Sequence, residues 1–167
     1  MEQSKKLKVF ISYSHKDTSY VDRFRTHISP LKDNGLIEDW YDRKILPGED
    51  FEEKIDNNLE DADVICLFIS ADFFDSDNCK KEKMKAFKLK KSKGIPVIPI
   101  ILSDCGWEDV KDISKPLVLP TDGKPISNFP NQDSGWKDVY DGLKEVIQNE
   151  CDILPAMNGG ASHEWED

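Results

Sequence analysis

The run Val64–Ile69, VICLFI, constrains the fold of this chain more than any other stretch. Consecutive apolar residues rich in β-branched types cannot alternate between core and water, so the run predicts a strand buried on both faces. Ile95–Leu102 (IPVIPIIL) is as apolar but carries Pro96 and Pro99, which predicts a short or interrupted strand. Lys8–Ser12 (KVFIS) and Leu36–Tyr41 (LIEDWY) supply two more strands. Between these runs the apolar spacing turns helical. Val21, Phe24, Ile28 and Leu31 form one buried stripe, with Thr18 or Ser19 as its cap and Asn34-Gly35 as its stop. Phe51, Ile55, Leu59 and Ala62 form another, opened by Asp50 with Glu53 in the spacing of a capping box. A lysine-loaded helix ending near Gly94 separates the third strand from the fourth. Strand and helix therefore alternate, which is the signature of a parallel sheet covered on both faces.

Beyond Leu102, Pro116–Pro120 (PLVLP) reads as a fifth, edge strand. Asp133 or Ser134 opens a last helix with Trp136, Val139, Tyr140, Leu143, Val146 and Ile147 on one side. One domain over residues 1–150 accounts for the pattern, with 151–167 as a tail or the start of a linker. A net charge of −10 opposes nucleic acid and anionic membrane as partners. No apolar run reaches the ~20 residues of a membrane span, and no secretory signal is visible, so a cytoplasmic setting is expected. Cys66, Cys79, Cys105 and Cys151 show no metal-ligand spacing and read as reduced thiols.

The segment Ser70–Phe87 (SADFFDSDNCKKEKMKAF) follows the most buried strand, where open α/β sheets keep their ligands. It reads as a polar loop with two phenylalanines feeding the lysine helix, in which Glu82 is the one acid among eight lysines from Lys80 to Lys93. Those lysines and the helix N-terminus favour the ionised carboxylate. On charge pattern alone Glu82 is a solvent-exposed salt-bridge partner, and the lysine helix a solvated face rather than a nucleic-acid surface. GxGxxG, GxxxxGK[ST] and GxSxG are all missing, and His15, His27 and His163 are scattered.

KVFISYSHKD, LIEDWYDRKILPGEDFEEKI, DADVICLFISADFFDSDNCKKE, GIPVIPIIL and SNFPNQDSGWKDV, in this order from about Lys8 to Ile147, resemble the bacterial form of the Toll/interleukin-1 receptor (TIR) domain. The resemblance implies a flavodoxin-like three-layer α/β fold around a central parallel five-stranded sheet, with RKILPGED as the BB loop. It also implies NAD+ as substrate, with no separate cofactor, cleaved at the nicotinamide glycosidic bond to give nicotinamide and ADP-ribose or a cyclic ADP-ribose isomer. The catalytic glutamate of the NAD-cleaving branch lies in a CxxE pattern, which here is Cys79-Lys80-Lys81-Glu82. Ser12, Tyr13 and Ser14 match the strand end bordering the cleft, Asp42 leads into the BB loop, and Arg43, Lys44, Leu46 and Gly48 lie within it. Phe73, Phe74 and Trp107 are candidates for stacking a ring. Asn78 stands where several NAD-cleaving relatives place Trp, which leaves the aromatic partner absent or supplied from elsewhere. The family further implies self-association through Arg43 to Asp50, up to filaments, and a role as the effector of a bacterial antiphage protein with a sensor domain on its C-terminal side. The alternative is a non-catalytic TIR scaffold, or a mimic of host TIR signalling.

Overall fold

The computed structural model describes residues 6–157. Its centre is a parallel sheet in the order β2-β1-β3-β4, from β1 (Leu7–Ser12), β2 (Ile37–Trp40), β3 (Val64–Ile69) and β4 (Val97–Ile101). A single 3-10 turn, His15–Asp17, leads from β1 into α1 (Thr18–His27), and Pro30 opens the short α2 (Ser29–Asp33). The expected cap at Thr18 or Ser19 is not the one formed. Asp17 takes the capping position without a side-chain bond, because Ser70 engages its carboxylate, and the Thr18 hydroxyl donates to the His15 carbonyl.

The helix α3 (Phe51–Glu60) starts as its sequence suggests, with the Asp50 carboxylate accepting from the Glu53 amide at 2.9 Å. The stretch expected to be a loop after β3 is instead a short helix, α4 (Ala71–Asp75). Ser70 caps it by accepting from the Phe73 amide at 3.0 Å. Ser76 then caps α5 (Asp77–Lys93) through the Cys79 amide, and Gly94 ends it at φ +72°, a left-handed conformation that costs glycine nothing.

Every residue of β3 is buried, and its two faces feed separate cores. Val64, Cys66 and Phe68 point towards α1 and the long α7 (Gln132–Met157), where Phe24, Phe68 and Trp136 pack ring against ring. Ile65, Leu67 and Ile69 point the other way, towards Ile55, Leu59, Phe73, Ala86 and Leu89 of α3, α4 and α5. The strand period of two thus divides one apolar run between two helical layers.

The fifth strand does not form. Leu119 makes a single parallel bridge to Ile100, donating to the Pro99 carbonyl at 2.9 Å and accepting from Ile101 at 2.7 Å. Pro116 and Pro120 have no N–H with which to extend it, and Leu117 is almost fully exposed. The four-residue α6 (Lys111–Ser114) lies between β4 and this bridge. Of the expected tail, Cys151 to Met157 continues α7, and the remainder lies outside the described residues.

Candidate active site

Strand order reverses between β1 and β3, so the crevice at their carboxyl ends is where a parallel sheet of this type offers its ligand site. The residues leaving β1 there divide between Glu82, Asp42 and their own turn. Ser12 is buried, and its Oγ donates to Oε1 of Glu82 on α5 at 2.5 Å. Tyr13 donates to Oδ1 of Asp42 at 2.8 Å, while His15 pairs with Oδ2 of the same carboxylate. Ser14 accepts from the Lys16 amide and so caps its own turn rather than facing the groove. Burial and the adjacent Asp42 push the Tyr13 phenol well above its usual range.

Glu82 is partly buried, and burial drives its carboxyl from 4.5 up to about 7. The Ser12 hydrogen bond and His15 oppose the rise, whereas Asp42 and Asp56 add to it. This corrects the expectation that neighbouring lysines favour the ionised form. Lys80 pairs with Asp77, Lys83 with Asp112, and Lys85 with Asp56 and Glu60, so their charge is spent elsewhere. Cys79 of the CxxE pattern is buried, with its thiol pushed up to about 12, which makes it a packing residue and not a nucleophile.

From Glu82 a groove of about 140 Å³ opens between α3 and α5, with Phe51, Ile55, Asp56, Asn78 and Lys81 among its walls. Towards the sheet, Tyr13, Trp40, Asp42 and Ile55 close around the carboxylate and leave about 10 Å³. Asn78 is therefore beside Glu82. The aromatic missing at that position has a counterpart across the groove in Phe51, which is 38% exposed. Sequence reading assigned Phe51 to a helix face only; its place as the first residue of α3, directly after the loop, was the available signal.

The loop residues divide. Asp42 joins the site, but Arg43 pairs with Asp22 at 3.4 Å, and Lys44 reaches the Asp39 carbonyl and carboxylate on the β2 side. Leu46 is 64% exposed at the loop tip, and Gly48 there has φ +92°. Phe74 does not line the groove, since it packs edge-to-face on the buried Phe73. Among the described residues no group of His, Cys, Asp and Glu is arranged to hold a metal, and no helix is long and apolar enough to cross a membrane.

The TIR domain profile matches residues 9–138, which takes in both strand ends, the loop and Glu82. The chain belongs to the TIR domain family.

This TIR domain is 40% identical over 139 residues to the uncharacterized protein y4lF of Sinorhizobium fredii, a match covering 83% of the chain but only 43% of that protein. Among solved structures it is similar to the TIR domain of the Toll-related receptor TRR-2 from Hydra magnipapillata, at TM-score 0.59 and 22% identity over 84% of this chain and 98% of that one. It is also similar to the TIR domains of the activated Roq1 resistosome that recognises the pathogen effector XopQ, at TM-score 0.54 and 17% identity, covering 95% of this chain and 93% of that one. A prokaryotic SEFIR domain follows at TM-score 0.51 and 19% identity, over 85% and 92% of the two chains. At these identities the solved structures establish the shared fold.

Proposed function

We propose that this TIR domain is an NAD+ glycohydrolase with Glu82 as its catalytic carboxylate. The observation that carries the reading is the Ser12–Glu82 hydrogen bond at the sheet's switch point, which fixes a partly buried carboxylate at the head of a groove. Nicotinamide leaves NAD+ as a neutral molecule because its ring nitrogen is already cationic, so the reaction needs no general acid. As the C1′–N bond breaks, the ribose gains oxocarbenium character, which an ionised Glu82 stabilises while accepting a ribose hydroxyl. Water then adds at C1′ and releases a proton, giving ADP-ribose; attack by the adenine end gives a cyclic isomer instead. An NAD+ consumption assay at high protein concentration, wild type beside Glu82→Ala, tests this. No turnover by artificially clustered wild type would refute the hydrolase, and equal turnover by both proteins would refute Glu82.

Self-association through Arg43 to Asp50 belongs to the same reading. Leu46 at the loop tip and Phe51 just after the loop offer exposed apolar area. The groove at Glu82, at about 140 Å³, is also smaller than the ~300–1,000 Å³ of a typical ligand pocket. In this proposal the domain is the effector of a bacterial defence protein whose sensor lies elsewhere in a longer chain. The exposed Leu46 equally favours the second reading, a scaffold that assembles without catalysis, and the same assay separates the two.

A further inference from the structure

A second groove lies lower on the same α3–α5 seam, with a volume of about 440 Å³. Lys81 lines both grooves, so the two adjoin at that side chain. Three lysines edge the lower one, Lys81, Lys85 and Lys88, against the single acid Glu60. Lys85 is occupied by Asp56 and Glu60, whereas Lys81 and Lys88 have no ion-pair or hydrogen-bond partner among the described residues. These are free cations on a chain of net charge −10, spaced at positions i and i+7 and therefore on one side of the helix. Between them Met84, 60% exposed, and Leu89 supply apolar surface.

We infer that this lower groove binds the ADP-ribosyl part of the dinucleotide, with Lys81 and Lys88 on its diphosphate and Met84 against its adenine; the inference rests on NAD+ as the ligand of the Glu82 site. Three features support the assignment. The two free cations match the double negative charge of a diphosphate, which the acidic surroundings of Glu82 do not. A thioether packs favourably on an aromatic ring, and an exposed methionine in a groove is otherwise an unexplained apolar group. Around α5, at about 100° per residue, Lys81 and Lys88 lie between Glu82 and Met84, which gives the order ribose, diphosphate, adenine across the helix surface. With both grooves used, the available space falls in the ordinary range for a ligand of this size.

The test is a titration of the wild-type protein, labelled at its methionine methyl groups, with ADP-ribose, which has no nicotinamide to lose. The Met84 methyl resonance is expected to shift saturably, and Lys81→Glu combined with Lys88→Glu to weaken binding at least tenfold. Both substitutions are on the surface, and an unchanged melting temperature confirms that the fold is retained. A protein that cleaves NAD+ while Met84 stays silent at saturating ADP-ribose, or that binds equally well with both lysines reversed, overturns the groove assignment and leaves the hydrolase standing. A protein that binds ADP-ribose at Met84 yet never cleaves NAD+ supports the groove and refutes only the hydrolase.

Discussion

Ser12 Oγ donates to Glu82 Oε1 at 2.5 Å across 70 residues of sequence, joining the end of β1 to α5. The bond holds a carboxylate that burial would otherwise keep protonated more strongly than it does. Ser12→Ala is therefore expected to move the Glu82 carboxyl further up. Hydrogen bonds to charged groups are worth about 1.5–3 kcal/mol, so NAD+ turnover near neutral pH should fall about tenfold or more. The acid limb of the pH–rate profile should shift upward by about one to two units, at 1.36 kcal/mol per unit. A profile with its acid limb unmoved would show that Ser12 does not act on Glu82.

In the wild type that limb itself is predicted near 7, since the proposed reaction uses ionised Glu82, whose carboxyl burial raises to about 7. Turnover measured from pH 5.5 to 8.5 should rise through this window and then level off. A flat profile would count against a carboxylate in this state.

Glu82→Gln should stabilise the fold as pH rises, while abolishing turnover. Below 4.5 both folded and unfolded Glu82 hold a proton, and burial costs nothing in charge. Between 4.5 and 7 the unfolded chain has released the proton and the folded one has not, so wild-type stability declines with pH. Above 7 the whole penalty stands, on the order of 3 kcal/mol. Glutamine does not titrate, so thermal melts should show its advantage growing from pH 5 to pH 8; a constant offset would contradict the assignment.

Phe51→Ala removes the aromatic face opposite Asn78. If Phe51 stacks a ring of the substrate, KM for NAD+ should rise about three- to tenfold, in keeping with ~0.5–1.5 kcal/mol for an aromatic pair, with little change in kcat. Asn78→Trp restores an aromatic on the other wall, and in the Phe51→Ala background it should recover part of the loss. No recovery together with an unchanged KM would assign Phe51 to the loop surface alone.

Gly48→Pro should weaken self-association and turnover together. At φ +92° the position excludes proline, whose ring fixes φ near −65°. Sedimentation and NAD+ consumption, measured on the same preparation, check whether both fall.

The alternation of apolar runs made the sheet and both helical layers legible, because a run such as Val64–Ile69 has only one economical burial. Glu82 was legible as a position and not as an environment: its lysine neighbours suggest ionisation, but Lys83 and Lys85 pair with acids that adjoin them only after folding, and burial of the carboxylate outweighs the rest. Ser12, Tyr13 and Asp42 could be placed at the cleft by resemblance. That Tyr13 and His15 share one carboxylate follows from register between distant segments, which no local pattern encodes. The edge strand failed because an apolar PLVLP looks like a strand until its two missing donors are counted against a one-sided ladder. The helix α4 escaped notice because it depends on Ser70 acting as a cap.

The tip of the Arg43–Asp50 loop is tied mainly to itself and to α3. The Leu46 amide donates to the Glu49 carboxylate, Glu49 pairs with Lys54, and Asp50 caps the helix that follows. At its base, Asp42 and Arg43 fasten the loop to Tyr13 at the strand exit that carries Ser12. A substitution at the tip that keeps the Asp42 contacts therefore leaves the Ser12–Glu82 pair in place, so turnover lost in such a variant reads out the loop's partner and not damage to the carboxylate.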